Sequence, residues 1–203
     1  HVWVRSSVNA ANETSDFNAV QGDGNILANN GSADWHQVQT SAGVPLTGMV
    51  DVRTTGAAAI ATNGTQFYTW GRNVYKGDGS VTGSLHYATL MSTPSGFATG
   101  SAIKVDMSYG NNLSASYYIL DANGVVHVLG NNNLGQLGIG SVIAQTAWTR
   151  IIQKNEEPEA AGNQPDVTSA MGRVTALSSN NHDAMYAPLI LITGDKRAYH
   201  AGS

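Results

Sequence analysis

The chain of 203 residues has no cysteine, which excludes disulfide bonds, thiolate zinc sites and thiol nucleophiles together. Charged residues make up only 12% of it, and its 10 lysine and arginine residues are scattered rather than grouped in a basic stripe. Nucleic acids and anionic membrane surfaces are therefore not expected as partners. No apolar run approaches the roughly 18 residues that a membrane span needs, so none is predicted.

Small polar residues are abundant instead. The chain is rich in Asn, Ser and Thr and has 23 glycines. Asn and Gly tolerate the left-handed backbone conformations of tight turns, so this composition favours strands and turns. Surface helices normally carry Glu and Lys, and the scarcity of charge disfavours them. A chain poor in lysine, free of cysteine and rich in Asn and Thr also favours an extracellular or bacterial cell-surface location.

Internal repeats predict three β-hairpins. Residues 59–71 and 118–130 each place an Asn-Gly pair between two apolar runs, which is the strongest short-range hairpin pattern. Residues 190–202 keep this pattern with Gly-Asp at the turn. Residues 1–4 are similar to the second strand of such a hairpin. The predicted strands end at intervals of 67, 59 and 72 residues, at Val4, Gly71, Gly130 and Gly202.

A second pattern follows each predicted hairpin. An aromatic residue precedes an aliphatic residue by three positions, and this occurs at Trp35, Tyr87 and Trp148. Repeating units of about 40–70 residues with several short strands are typical of propeller blades. The sequence therefore predicts an all-β fold, namely a partial β-propeller of about three four-stranded blades that is an arc of a larger ring. The predicted arc is a single domain over residues 1–203 and is incomplete at both ends. Its repeat units are predicted near residues 5–71, 72–130 and 131–202.

Large side chains at matched positions are predicted to pack between blades. One set of these positions holds Trp3, Trp70 and Leu129, and the other holds Trp35, Tyr87 and Trp148. The glycines that end the strands are expected to permit a sharp exit with positive φ.

One segment resembles a known repeat family. Residues 124–140 read Gly-Val-Val-His-Val-Leu-Gly-Asn-Asn-Asn-Leu-Gly-Gln-Leu-Gly-Ile-Gly. They resemble the signature of the regulator of chromosome condensation repeat, and residues 67–79 are similar to a degraded copy. The resemblance implies a ring of four-stranded blades. The three repeat units of this chain are too few to close such a ring, which needs 4–8 blades. The signature positions that the resemblance assigns to the repeat include Gly135, Gln136, Leu137 and Gly138.

Two acidic turns are weak candidates for a metal site. The segments around Asp23 and Asp78 could offer oxygen ligands to calcium, but neither has the closing Glu of an EF-hand loop. A structural turn is the favoured interpretation of both, and no cofactor is predicted. The chain also lacks the Gly-x-Ser-x-Gly elbow and the Walker loop, so no enzyme activity is predicted.

These observations predict a non-enzymatic binding or structural module of a large secreted or cell-surface bacterial protein with a role in adhesion. Its expected partners are a protein or a surface glycan, bound through the loops at 9–16, 77–83 and 153–166, since loops on a rigid scaffold carry binding sites. The remainder of the polypeptide, or a partner chain, would complete the ring. Two alternatives stay open, a protein-binding regulator or inhibitor and an accessory part of a carbohydrate-active enzyme.

Overall fold

In the computed structural model, the regular elements of the described residues are short antiparallel strands. No helix occurs in the described ranges, and the prediction of an all-β fold is confirmed. No segment within them could cross a bilayer as a helix. The structure describes residues 1–5, 22–24, 35–100, 104–109, 114–151, 172–180 and 188–202.

The first described strands form two small sheets. In one of them β1 pairs with β2, and in the other β3 pairs with β4. Their bounds are β1 Trp3–Val4, β2 His36–Gln37, β3 Gln39–Ser41 and β4 Val44–Pro45.

Three larger sheets follow in chain order, and each is an antiparallel meander of neighbouring strands. Sheet I contains β5 Asp51–Thr54, β6 Ala58–Thr62, β7 Phe67–Gly71 and β8 Leu85–Leu90. Sheet II contains β9 Lys104–Tyr109, β10 Ala115–Leu120, β11 Val126–Gly130 and β12 Gln145–Arg150. Sheet III contains β13 Val174–Ser179, β14 Leu189–Thr193 and β15 Ala198–Ala201.

The sheets pack face to face in chain order, so that sheets I and II each lie between two described neighbours. Successive side chains of a strand point to opposite faces, so Tyr117 lies in the core between sheets I and II, whereas Tyr118 lies in the core between sheets II and III. A third core joins sheet I to the β1–β4 strands and contains Trp70. Strands β6 and β10 are buried along their whole length. Burial on both faces explains why these strands do not alternate apolar with polar residues.

The first strands of successive sheets lie next to each other, since β5 contacts β9 and β9 contacts β13. A carboxylate joins each pair. Asp51 Oδ2 accepts a hydrogen bond from the Val105 N–H at 3.3 Å, and Asp106 Oδ2 accepts one from the Ser179 N–H at 2.8 Å. Four-stranded sheets packed in this radial order are the blades of a β-propeller, so the predicted fold class is confirmed.

The three predicted hairpins are present as β6–β7, β10–β11 and β14–β15. The blades, however, are out of phase with the pitches deduced from the sequence. Each repeat unit deduced from the sequence runs from the end of one third strand to the end of the next. It therefore combines the fourth strand of one sheet with the first three strands of the following sheet.

The register of β1 corrects one predicted match. Trp3 corresponds to Tyr68 and His127, and not to Trp70 as the sequence pattern indicated. Apolar residues two positions apart occur on both strands, so the sequence pattern could not separate the two registers. Three equivalent backbone hydrogen bonds fix this register, from Val38 N to Val2 O at 3.0 Å, from Met91 N to Phe67 O at 2.8 Å and from Ile151 N to Val126 O at 3.2 Å.

Trp3 and Trp35, which the sequence predicts to pack between blades, are 53% and 64% exposed among the described residues. The matching residues in sheets I and II, such as Trp148, point toward the preceding sheet. By contrast, Trp70 and Leu129 are fully buried, as predicted.

Tyr87 is also displaced by one position from its predicted match. Thr89 is the cross-strand partner of Thr69, and Thr149 is that of Val128, so Trp148 corresponds to Ala88. Tyr87 lies over Gly24 instead, where an added Cβ would come within 2.1 Å of the tyrosine hydroxyl.

Candidate binding surfaces

The two ends of the sheets form two separate surfaces. We call the end that carries the hairpin turns at 63–66 and 121–125 the turn side, and the opposite end, which carries the connections at 72–84 and 131–144, the loop side. Strand β12 runs between them, since Gln145 pairs with Gly130 on the loop side and Arg150 pairs with His127 on the turn side.

The predicted binding loop at 77–83 is held against the next sheet. The Gly79 N–H donates to the Thr146 carbonyl at 3.0 Å, and Asp78 forms a β-bridge with Ala147. Gly77 lies under the ring of Trp148, where an added Cβ would come within 2.5 Å of the indole nitrogen. The loop therefore extends from sheet I and is fixed on the outer strand of sheet II.

The two candidate calcium ligands are engaged by protein groups. Asp78 accepts hydrogen bonds from Lys76 Nζ at 2.8 Å and from the Ser80 N–H at 3.0 Å, and the Lys76 bond is the largest of the causes that hold the pKa of this carboxyl far below its usual range. Asp23 Oδ2 lies 2.8 Å from His36 Nδ1. Among the described residues, no three His, Cys, Asp or Glu side chains are grouped so that they could hold a metal ion.

Residues of the repeat signature fix the second loop of the loop side. Asn132 is fully buried, and its Nδ2 donates to the carbonyls of Ser141 and Ile143 at 2.7 and 3.2 Å. Gln136, also fully buried, donates to Ser116 Oγ at 3.2 Å and accepts from the Leu134 N–H at 2.9 Å. These side chains hold the backbone of the loop in one conformation.

Both loops present apolar side chains to solvent. Val81, Val142 and Ile143 are 74%, 64% and 70% exposed, and we call these three residues the loop patch. The loop at 77–83 joins β12 at Thr146, only three residues after Ile143, so the two loops are neighbours.

The turn side carries a pocket of about 450 Å³ that the sequence did not indicate. It lies between β11, β12 and the connection that follows sheet I. Its lining is mostly polar and includes no acidic residue, and it consists of Ser95, Gly96, Val125, His127, Trp148, Thr149 and Arg150.

A buried carboxylate positions His127 in the wall of this pocket. His127 Nε2 lies 3.0 Å from Asp121 Oδ2, and both side chains are 2% exposed or less. Asp121 Oδ1 accepts from the N–H groups of Asn123 and Val125 at 2.9 and 3.0 Å, and Oδ2 also accepts from the Ala98 N–H at 3.3 Å. The carboxylate therefore organises the β10–β11 turn and the histidine together.

Sequence reasoning found part of these surfaces. It placed a binding loop at 77–83, which the structure describes, and loops at 9–16 and 153–166, which lie outside the described residues. It missed the pocket, because Ser95 and Arg150 are 55 residues apart and only the packing of sheet II against the connection after sheet I brings them together. The pairing of Asp121 with His127 across a five-residue turn was the one local pattern that could have indicated it.

Comparison with known proteins shows the fold. No family model matches the chain, and no curated protein matches its sequence. Among solved structures, human WBSCR16 matches 87% of this chain at a TM-score of 0.53, and Prp20p from Saccharomyces cerevisiae matches 84% at 0.54. Both are 14% identical in sequence, and the match spans 37% and 35% of their own lengths, about a third. Both are propellers of the regulator of chromosome condensation type, so this chain has that fold.

Proposed function

We propose that the chain is a non-catalytic protein-binding module that uses its loop patch. The observation that carries this proposal is the exposure of Val81, Val142 and Ile143 on two loops that hydrogen bonds hold in place. Apolar side chains exposed together on a rigid surface favour protein association. A loop that is already ordered loses little conformational entropy on binding, so more of the contact energy remains as affinity.

The structural neighbours support a protein partner. The structure of Prp20p is described together with its binding properties to Gsp1p and histones. The likeness to this chain is one of fold, and fold alone does not transfer a partner. The partner surface that we infer is therefore one that complements three aliphatic side chains.

We further propose that the module works in adhesion, as part of a large secreted or cell-surface bacterial protein. The support is compositional, because the chain has no cysteine and only 10 lysine and arginine residues. Antibody labelling of intact and permeabilised source cells tests this location. We expect equal labelling in both, and labelling only after permeabilisation would contradict it.

The loop patch is tested by replacing its three residues with serine. The Val81→Ser, Val142→Ser, Ile143→Ser variant and the unchanged chain are immobilised, and the proteins that each retains from the source organism are compared. Val44→Ser serves as the matched control, since Val44 is 50% exposed on the separate β3–β4 sheet. We expect a stoichiometric partner that the unchanged chain and the control retain and the triple variant loses.

The outcomes separate binding from folding. All three proteins should show the same thermal midpoint, because exposed side chains contribute little to the core. A partner that the triple variant retains at equal affinity would place the interface elsewhere and contradict the proposal.

A further inference from the structure

The pocket on the turn side is a second surface, separate from the loop patch. Strand β12 carries Thr149 at the turn side and Gln145 at the loop side, and the two surfaces share none of their residues. A volume of about 450 Å³ falls in the range of small-ligand sites, in which a few polar groups fix the orientation of the ligand. The chemistry of the lining side chains therefore indicates what the pocket can hold.

His127 presents one unused polar atom to the pocket. The Asp121 carboxylate can only accept, so the proton that joins the pair is on His127 Nε2. The ring makes no other hydrogen bond to described residues, and its Nδ1, unlike the Nε2 of His36, is not sealed from solvent. Because the side chain is only 2% exposed and lines the pocket, Nδ1 is open to a ligand that enters there.

Two hydroxyl groups line the same cavity. They belong to Ser95 and Thr149, and neither makes a hydrogen bond to a described residue. A hydroxyl group on a ligand both donates and accepts, so it can donate to the histidine nitrogen and exchange hydrogen bonds with either of these oxygens. The pocket thus brings together three groups that each suit a hydroxyl-bearing ligand.

Trp148 adds a fixed apolar surface. Its indole N–H donates to the Ser92 carbonyl at 2.8 Å, and its ring packs against Phe67 with the centroids 6.5 Å apart. Since the polar atom of the indole is already used, the ring contributes only its carbon surface to the pocket. The face of an aromatic ring is slightly negative, so it attracts the slightly positive C–H groups on the flat side of a sugar ring.

The charges around the pocket are already engaged within the chain. None of the seven lining residues is acidic, and Arg150, which also lines the pocket, already has an interaction partner. The nearby Asp121 is buried, and both of its oxygens accept hydrogen bonds. A ligand without charge therefore matches the groups that the pocket leaves open.

We propose that this pocket binds the ring of a neutral pyranose sugar. The hydroxyls of the sugar bond to His127 Nδ1, Ser95 and Thr149, and its C–H face lies on Trp148. An open-chain polyol has the hydroxyls but no flat face for the indole. A flat aromatic ligand covers the indole but leaves the histidine nitrogen and the two hydroxyls without partners.

The test is a titration of the 203-residue chain with methyl β-glucopyranoside, followed by nuclear magnetic resonance. We expect saturable binding that shifts the nitrogen resonance of His127 Nδ1. Sorbitol, which has hydroxyls but no ring, should bind at least about tenfold more weakly. Methyl β-glucuronide, which adds a carboxylate to the same ring, should bind no more tightly than the neutral glycoside.

Two variants remove the hydroxyl groups of the pocket. Thr149→Val and Ser95→Ala should each lower the affinity for the glycoside at least about threefold, because each removes one hydrogen bond to the ligand. Thr146→Val is the matched control, since Thr146 lies on the same strand and does not line the pocket. All three variants should keep the thermal midpoint of the unchanged chain, because none of these hydroxyls bonds to a described residue.

Each other outcome would overturn the proposal. Equal affinity for sorbitol would show that the ring face is not recognised, and tighter binding of the glucuronide would assign the pocket to anions. Full binding by both hydroxyl variants, or the absence of saturable glycoside binding, would exclude the site. The serine variant of the loop patch should bind the glycoside normally, so that this proposal and the proposed function can fail separately.

Discussion

At the scale of single residues, the glycines that end the third strands carry the clearest constraint. Gly71 and Gly130 have φ of 110° and 104°, in the region that L side chains rarely adopt. They also lie against the second strand of their own sheet. A Cβ on Gly71 would be 2.4 Å from the Ala57 carbonyl oxygen, and one on Gly130 would be 2.2 Å from that of Ala115. At each of these two positions glycine is therefore required both by the positive φ and by the close contact with the second strand.

Replacing Gly130 with alanine should lower the free energy of unfolding by more than the cost of placing alanine at a positive φ, because the added Cβ would also collide with the second strand. Gly64→Ala is the matched control, because Gly64 has φ of 93° with no atom within 4 Å of an added Cβ. We expect about 1–2 kcal/mol for the control from the backbone conformation, and about 1–3 kcal/mol more for Gly130→Ala from overpacking. Urea unfolding measures both, and equal losses would show that the close contact is unimportant.

At the scale of secondary structure elements, two carboxylates join neighbouring first strands. Asp51 on β5 bonds to β9, and Asp106 on β9 bonds to β13, where the Ser179 hydroxyl also donates to the Met107 carbonyl at 2.5 Å. Burial raises the pKa of Asp106, although hydrogen bonds from Met107 and Ser179 and the charge of Arg53 oppose this shift. The bridge between sheets II and III therefore contains a carboxylate whose ionisation lowers the stability of the folded chain.

The pH dependence of stability should reveal this cost. A carboxyl whose pKa is raised on folding contributes most to stability below its ordinary pKa of 3.8 and loses that contribution as the pH rises through the raised value. The free energy of unfolding of the natural chain should therefore fall relative to that of Asp106→Asn as the pH rises from 3.8 through the raised pKa. Urea unfolding of both proteins at several pH values checks this.

Asp195 supplies a control of opposite sign. A hydrogen bond from the Thr193 hydroxyl lowers the pKa of Asp195, so its contribution is present above the ordinary pKa and is lost as the pH falls. The natural chain should gain stability relative to Asp195→Asn as the pH rises. The same slope for both variants would contradict the assignment of the Asp106 effect to burial.

Elements defined by local chemistry could be predicted from the sequence, and matches between distant elements could not. The Asn-Gly turns identified the hairpins, because Asn63 and Gly124 supply the hydrogen bonds and the positive φ that such turns need. The match of Trp3 with Trp70 failed by two residues, since a two-residue shift keeps the same face of a strand. The hydrogen bond from Val38 to Val2, which is equivalent to the one from Met91 to Phe67, distinguishes the registers.

At the scale of the whole molecule, the packing of one sheet between two others concentrates stability at the centre. Strands β6, β10 and β11 are buried throughout, whereas β3 and β4 have no fully buried residue. Large buried side chains at this centre include Tyr117, Tyr118 and Leu129. The pocket beside His127 depends on this packing, because its lining residues Ser95 and Arg150 are distant in the sequence and meet only where sheet II packs against the connection after sheet I.

Amide hydrogen exchange should follow this gradient. Because local opening costs most where backbone hydrogen bonds are buried, we expect the slowest exchange in β6, β10 and β11 and the fastest in β3 and β4. Mass spectrometry of peptides covering these strands measures the rates. Uniform rates across all five strands would mean that the chain opens only as a single cooperative unit.

The carboxylate bridges between first strands also give the arc a polarity. In both of them the earlier sheet supplies the acceptor, Asp51 or Asp106, and the later sheet supplies the donor, Val105 or Ser179. The contact is therefore head-to-tail, and its two surfaces are different in kind. A blade grafted onto this scaffold by the same contact would have to enter in chain order, because a reversed blade would set acceptor against acceptor. Recombining or lengthening such propellers is thus a directional operation, like extending a polymer from one defined end.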